Sequence, residues 1–391
     1  MAGHAVTLIE ASDHLGGTVA RQTVGGIDVD AGAESFATRG GTVAALAAEL
    51  GLAADVVAPA TAEAWLQPAV GPAIALPAAA MLGVPATPLA RDVIDVVGFP
   101  GALRAQLDTI IPSLRVPKSI SLGAFVRRRM GRAVLDTLVA PVVHGVYSMH
   151  PDDLSIDRVG GLRAALALNG SLAAAVRSLL AAAPAGAAVG GIVGGVNRLV
   201  TELEADLETY GVDVQLGRRV TTLGGLAGTV VVAAPGVVFP VDGRSVVLAT
   251  LVIDEPRLDA APRGSGVLVA LGAPGIRARA LTHSTAKWDW LRERADGKHV
   301  VRMSYDDDPQ NLAEVAREDA ATLLGVPIAA GSVVDFARVQ WIRPAAVAAP
   351  PGITVVGETV GGTGLAGIIA HANRTADELL HGHNGYSTVQ L

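Results

Sequence analysis

Cysteine is absent from this 391-residue chain. That single absence excludes disulfides, thiolate metal sites and cysteine nucleophiles. Lysine is nearly absent too: it occurs only at Lys118, Lys287 and Lys298, although Lys and Arg together number 30. So one-sided a choice of cation reflects GC-rich coding more than function. Aromatic residues are 3% of the chain while apolar residues are half of it, so Ala, Val, Leu and Gly must build the cores. Positive charge is not in excess. A net charge of −7 argues against a nucleic-acid partner, which needs clustered cations to meet phosphate. The N-terminus lacks a basic stretch followed by an apolar run and a cleavage site. Neither 64–90, which carries several prolines, nor 178–196, which is interrupted by Pro184, makes a good spanning helix. The expectation is a soluble cytoplasmic protein of two or three domains, with a peripheral membrane contact left open.

What is present begins at residue 6. Val6-Thr-Leu-Ile-Glu10 reads as a short buried strand ending in an acid, followed by Leu15-Gly16-Gly17. In a βαβ nucleotide site such an acid accepts from the ribose hydroxyls and lies about 20 residues after a Gly-rich phosphate loop. Only five residues precede this strand, so the loop is not in front of it, and a gene that starts further upstream is expected. Adjacent glycines at 16 and 17 let the backbone approach a ligand without an intervening side chain.

Further along, apolar spacing predicts a helix over 42–50. Residues 64–118 are Pro-rich and read as irregular. Helices dominate from Ser121 to Gly186, with Ser121 an N-cap for the helix that carries Arg127, Arg128 and Arg129. A helix over 198–210 and a strand ending at Val230–Ala234 return to the first domain. Residues 245–345 alternate β-like runs with one helix near 312–324. The tail, Ile353–Gly357 then Glu358–Gly367, reads as strand, loop and helix, with Leu365, Ile368, Ile369, Ala372, Ala376 and Leu379 on one face. The first domain is therefore discontinuous.

The start of that last helix aims free N–H groups and the positive end of its dipole into the glycine loop. That suits the reduced isoalloxazine ring of a flavin, which is negative near N1. Asp28-Val-Asp30-Ala-Gly32-Ala33-Glu34-Ser35-Phe36 reads either as backbone pressed against a cofactor or as a surface hairpin. The run from His144 to Ser155 holds two histidines, Tyr147 and two aspartates, without a recognised metal spacing, and reads as a turn in a substrate pocket. Residues 127–129 with Arg132 read as a solvated basic face, or as a site for substrate carboxylates or lipid head groups.

Together these segments resemble the protoporphyrinogen/coproporphyrinogen oxidases of the flavin-containing amine-oxidase superfamily. The resemblance rests on Val6–Gly17, Asp30–Phe36 with Arg39, Leu76-Pro with Leu82-Gly-Val-Pro85, and Phe125–Arg129 with Gly131. It continues through Pro141 with Gly145-Val-Tyr147, Pro151-Asp-Asp-Leu-Ser155, Gly264-Ser-Gly266, Lys287-Trp288 and Gly361–Ile369. It implies an α/β fold, α+β overall: a discontinuous Rossmann-like FAD-binding domain (1–62, 187–240, 346–391), a β-rich substrate domain (63–118, 241–345) and a helical lobe (119–186). It also implies oxidation of a porphyrinogen by FAD and O2 in haem biosynthesis, coproporphyrinogen III favoured over protoporphyrinogen IX, in a chain free to form a homodimer. By matching positions, Glu10 would hold the adenosine ribose. Gly17, Thr18, Gly32, Ala33, Glu34 and Ser35 would line the FAD, and Val220 would pair its backbone with adenine. Thr363, Gly364 and Leu365 would face the isoalloxazine, and Gly145 and Ser148 would lie near substrate. No metal and no catalytic side chain is assigned, because the cofactor carries the chemistry. The departures are the absent GxGxxG unit before Val6 and a shortened stretch from Val339-Gln-Trp341 to Pro350. The alternatives are a related amine oxidase or desaturase, and a non-catalytic paralogue unable to hold FAD.

Overall fold

Short apolar strands bounded by glycine turns, with Ala- and Leu-rich helices between them, build a mixed α/β chain. The computed structural model describes residues 4–383 apart from 39, 62, 112–116, 118, 148, 182–188, 241–242, 346 and 363. Cα packing divides the chain into two units. One holds Met1–Ala58, Ala187–Val247 and Val339–Leu391; the other holds Pro59–Gly186 and Leu248–Arg338.

In the first unit the strand Thr7–Ile9 runs parallel to Asp213–Gln215, Thr7 opposite Asp213 and Ile9 opposite Gln215. Val231–Val232 runs parallel to Thr354–Val355. Among the described residues each pair stands as its own two-stranded sheet, and Val6, Leu216 and Val231 are exposed along them. An antiparallel ribbon joins Phe36–Ala37, Val189–Ile192 and Val56–Val57. The helices Thr42–Glu49 and Leu365–His383 meet at its core. That core contains Phe36, Val43, Ala47, Ile192, Val196 and Leu199, with Leu365 and Ile369 of the predicted apolar stripe packed against it. The 198–210 prediction is met by Arg198–Thr209.

A seven-stranded sheet, most of it in the second unit, has the order Val333–Pro344, Gly243–Ile253, His299–Tyr305, Ala280–His283, Gly266–Val269, Trp65–Gln67, Ile74–Ala75. The helix Leu312–Leu324 matches the sequence reading at both ends. It is fastened by Asp319, whose carboxylate accepts from the backbone N–H of Arg277 and Ala278 and from the Tyr305 hydroxyl at 3.1 Å. Burial pushes the Asp319 carboxyl up despite those donors. A helical cluster is centred on Phe125, Met130, Leu135, Leu154 and Leu166. Ser121 caps the helix Leu122–Arg129 as expected, its Oγ accepting from the Ala124 N–H at 3.2 Å. No single described helix is long and apolar enough to cross a membrane.

The segment read as irregular contains a helix, Arg91–Ile110. Gly98, at φ 70° and ψ 159°, breaks it, and Pro100 then falls in the first turn of the second run. There its missing N–H has no intrahelical partner to lose. Read along the sequence, the same Gly and Pro look like the end of order.

A buried histidine pair crosses the sheet. His283 Nε2 lies 3.2 Å from His299 Nδ1, and His299 Nε2 lies 3.2 Å from Asp259. Burial, with the charge of His299, drives His283 down to about 3. Burial also lowers His299, opposed by Asp259, Asp254 and Glu255. Both folded values lie below the unfolded value near 6.5, so the unfolded chain binds more protons as pH falls. Stability is therefore full above about pH 6.5 and declines below it, by up to about 1.4 kcal/mol per pH unit for each histidine. Urea midpoints measured from pH 7 to 4 should fall steeply. His283→Leu should flatten that slope.

Candidate functional site

In the first unit, the strand Thr7–Ile9 ends by delivering Glu10. The Glu10 N–H donates to the Gln215 carbonyl at 3.0 Å, and the Arg218 N–H donates to the Glu10 carbonyl at 2.9 Å. Side chain and backbone are thus both fixed, because Ser12 donates to Glu10 Oε1 through its N–H at 2.7 Å and its hydroxyl at 2.9 Å. The second oxygen, Oε2, receives no hydrogen bond from a described residue. A carboxylate with one oxygen oriented and the other open is suited to accept from a vicinal diol. Val220 follows two residues after Arg218 in the same loop, half-buried.

The glycine turn after this strand brings the next predicted residues together. Gly16 has φ 101° and Gly17 φ 56°, and nothing lies within 4 Å of where a Gly17 Cβ would stand. Gly32 sits against the Thr18 backbone: a Cβ there would lie 2.0 Å from the Thr18 carbonyl oxygen. The Ala33 N–H donates to that same oxygen at 3.2 Å. Thr18, Gly32 and Ala33 therefore form one backbone wall, with Glu34 and Ser35 half-buried beside it. Trp341 closes the end of the wall by donating from Nε1 to the Ala31 carbonyl at 3.0 Å. The shortened stretch noted in the sequence thus still supplies a contact.

Beneath the wall lies Asp30, the last residue of a real hairpin, Arg21–Val24 with Ile27–Asp30. The hairpin reading of this segment is met at its first residues. Asp28 is exposed on the hairpin and accepts from Thr23 at 2.6 Å. Asp30 is buried and accepts from the N–H of Val196 and Asn197 and from Asn197 Nδ2, at 2.7 to 3.0 Å. Burial raises the Asp30 carboxyl above the ordinary range, and the Asn197 and Val196 donors oppose the rise.

The C-terminal loop supplies the opposite kind of group. Gly357 (φ 99°), Gly362 (φ 86°) and Gly364 (φ 96°) turn the chain into the helix Leu365–His383. The N–H groups of Gly367 and Ile368 reach the Gly364 carbonyl. Those of Leu365 and Ala366 have no partner among the described residues. Space is open beside Gly362 and Gly364. Glu358 holds the preceding turn, 3.8 Å from Arg343 Nε, and burial raises its carboxyl. Gly362-Thr-Gly-Leu-Ala-Gly367 has the GxGxxG spacing, a signal the sequence reading sought only before Val6. Thr363 lies outside the described residues, as do Arg39 and Ser148.

An open carboxylate, a backbone wall with room beside its glycines, and a helix end with two N–H groups that have no partner among the described residues fit a flavin dinucleotide. Such groups would offer acceptors to a ribose and donors to a flavin ring.

The second unit carries the remaining predicted residues. Gly145, on the helix Ala140–Tyr147, faces Leu268, whose Cδ2 would lie 2.6 Å from a Cβ there. The space that glycine opens is therefore occupied by a leucine side chain. Next to it is a group that sequence reasoning left unassembled. Buried His144 places Nε2 3.1 Å from Asp306, which also receives Arg279 at 3.0 Å. The sequence separation of 162 between His144 and Asp306 hides that link from any local pattern. The basic face expected at 127–129 is partly neutralised. Arg129 pairs with buried Asp108 at 2.5 Å and Arg127 with Asp152 at 2.7 Å, leaving Arg128 and Arg132 exposed. Among the described residues no group of three potential metal ligands occurs.

Comparison with known proteins agrees with this geometry. Residues 1–252 match the family model described as flavin containing amine oxidoreductase. Coproporphyrinogen III oxidase of Mycobacterium leprae (strain TN) is 28% identical over 430 residues, covering 96% of this chain and 92% of that protein. The enzyme of the same name from Propionibacterium freudenreichii subsp. freudenreichii is 31% identical over 157 residues, 40% of this chain but only 30% of that one. Among solved structures, a chain from Exiguobacterium sp. 255-15 provisionally named protoporphyrinogen oxidase superposes with a TM-score of 0.80 at 21% identity, covering 97% of this chain and 93% of its own. A putrescine oxidase with bound putrescine gives 0.62 at 14%, covering 97% and 94%. At these identities the structures show a shared fold.

Replacing Asp30 by alanine should strand two buried backbone N–H groups at the start of the 198–209 helix. The expected loss is about 2–4 kcal/mol, read as a lower urea midpoint with an unchanged denaturant slope.

Proposed function

This chain belongs to the flavin-containing amine oxidoreductase family, and we propose that it oxidises a porphyrinogen to the porphyrin in haem synthesis. It is an oxidoreductase with FAD as its cofactor. Within the proposal the substrate is coproporphyrinogen III in preference to protoporphyrinogen IX, the acceptor is O2, and the enzyme works in the cytoplasm, alone or as a homodimer. The observation that carries the reading is Gly145-Val-Tyr147 followed by Pro151-Asp-Asp-Leu-Ser155, in a chain that aligns with a coproporphyrinogen III oxidase along 96% of its length.

That run also has a physical role. The Leu122 N–H donates to the Leu154 carbonyl at 2.7 Å and the Gly123 N–H to the Pro151 carbonyl at 2.8 Å. A Cβ on Gly123 would stand 2.3 Å from Asp152 Oδ1. The loop therefore clamps the first turn of the 122–129 helix.

When bound, FAD supplies the two-electron acceptor for a hydride from the methylene bridge of the substrate. The work left to the protein is to bind and orient. Glu10 accepts from the ribose hydroxyls through Oε2 while Ser12 holds Oε1. Val220 meets the adenine through its backbone, and Gly17, Thr18, Gly32, Ala33, Glu34 and Ser35 line the dinucleotide. Thr363, Gly364 and Leu365 would face the ring, where the N–H groups of Leu365 and Ala366, without a partner among the described residues, would favour negative charge. By the resemblance Gly145 and Ser148 would lie near the substrate, and Leu268 fills the space beside Gly145. The His144–Asp306–Arg279 chain holds a buried histidine and a buried arginine in register on one carboxylate, a rigid polar floor for that lobe.

Porphyrin fluorescence should appear when the FAD-loaded protein meets coproporphyrinogen III in air, faster than with protoporphyrinogen IX. Hydrogen peroxide from an amine without any porphyrin would favour the amine-oxidase reading, and a protein that stays colourless after FAD addition would favour the non-catalytic one. Glu10→Leu should weaken FAD binding by about tenfold or more, the worth of a hydrogen bond to a charged acceptor. Flavin fluorescence quenching measures it.

A further inference from the structure

The helix that carries His144 and Gly145 is irregular before it reaches them. The chain turns at Gly131 (φ 94°) into Arg132–Val134, then widens into a π turn over Leu135–Val139. At its end the Ala140 N–H donates to the Leu135 carbonyl, five residues back rather than four. Pro141 comes next. Inside a regular helix its ring would press on the carbonyl four residues back, and the wider turn makes room for it. π turns of this kind recur at functional sites. An interrupted ladder also joins the two halves of the helix less stiffly. Leu135, Val139 and Val143 face the helical core, which leaves the other side of the last turn to meet the sheet.

Two contacts of opposite kind fasten that last turn. Gly145 meets Leu268 so closely that a Cβ would lie 2.6 Å from Leu268 Cδ2. His144, its side chain 8% exposed, places Nε2 3.1 Å from Asp306 Oδ2. The first contact is apolar and permissive, since a leucine can slide or change rotamer. The second is directional, and its far partner is braced. Asp306 Oδ1 accepts from Arg279 Nη1 at 3.0 Å, and Arg279 Nε donates to Ser304 Oγ at 3.1 Å. The Arg279 N–H donates to the Ser304 carbonyl at 2.9 Å, and its carbonyl accepts from the Val269 N–H at 3.0 Å. The carboxylate is thus held to the sheet itself.

The helix lies on the less covered face of that sheet. Leu268, Ala280 and Ser304 stand opposite one another in register and are half-buried. Val267, Leu281 and Met303, which point to the other face, are buried. We propose that His144 is a positioning residue. Through Asp306 it sets how far the 140–147 helix stands above this open face, and with it the width of the space that Leu268 fills beside Gly145. The inference rests on the porphyrinogen reading for what enters that space: a flat tetrapyrrole, for which Leu268 moves aside while the helix stays down. A helix free to rise would loosen the grip on a flat ring without altering the chemistry at the flavin. No proton transfer is assigned to His144.

The test compares the FAD-loaded chain with its His144→Leu, His144→Gln and His144→Asn variants. Gln keeps a donor at the reach of Nε2, and Leu keeps only the volume. Asn is polar but too short to reach Asp306, and serves where leucine disturbs folding. For His144→Leu and His144→Asn, KM for coproporphyrinogen III should rise about tenfold, the worth of one hydrogen bond to a charged acceptor. Kd for the product coproporphyrin III, read by fluorescence titration, should rise equally. The kcat should stay within about twofold, and His144→Gln should restore both constants. Hydrogen exchange of the 140–147 amides should quicken in the Leu and Asn variants and return in the Gln variant, which reads the positioning without turnover. Unchanged KM and Kd in the Leu and Asn variants would overturn the inference, as would a loss confined to kcat. Unchanged exchange would overturn it too. An unaltered chain that takes no porphyrinogen would count against the porphyrinogen reading instead, and exchange at 140–147 would still decide whether His144 holds the helix.

Discussion

Three N–H groups converge on one carboxylate at Asp30, and the first unit is organised around that convergence. The acid ends a hairpin strand, and its donors open the helix Arg198–Thr209 from the far side of the sequence. An N-cap delivered from 166 residues away does what a local Ser or Asp usually does, and it joins segments that no short loop connects. It also sets the height of the backbone wall at 31–33, because the residues just past Asp30 leave the hairpin from a fixed point.

The same device recurs in the other unit. Asp108 accepts from the Ala173 N–H at 2.8 Å at the start of the 172–181 helix while pairing with Arg129. Asp319 gathers two backbone donors and the Tyr305 hydroxyl. Each is a buried acid satisfied by several donors, the condition under which burying a charge is tolerable. A chain with few aromatic residues has few large anchors to fix how its elements meet. Small residues pack closely but slide easily, and directional bonds to buried carboxylates supply the register that shape alone leaves loose.

Local order was legible from the residues because its causes are local. The helix at 312–324 and the cap at Ser121 follow from periodicity and one hydroxyl, and the glycine turn after Glu10 follows from adjacent glycines. Three things were not legible. The helix at 91–110 was hidden because Gly98 and Pro100 signal a break wherever they stand, and only the fold shows helix on both sides of it. The His144–Asp306 contact and the Asp30 cap depend on pairing across more than 160 residues, which leaves no trace in spacing. The GxGxxG run at 362–367 was in plain view, yet a nucleotide loop is expected after the first strand and was sought there.

Thr18 and Gly32 meet main chain to main chain, so the wall they form owes its shape to peptide groups rather than to side chains. Every amino acid carries the same peptide group, which makes such a wall indifferent to most substitutions along it. Its tolerance collapses at the single position where a methyl group has no room. Variation can therefore accumulate freely around the site while its outline stays put. A lineage holding this architecture can change its surface, its charge and its second lobe without altering the outline of that wall.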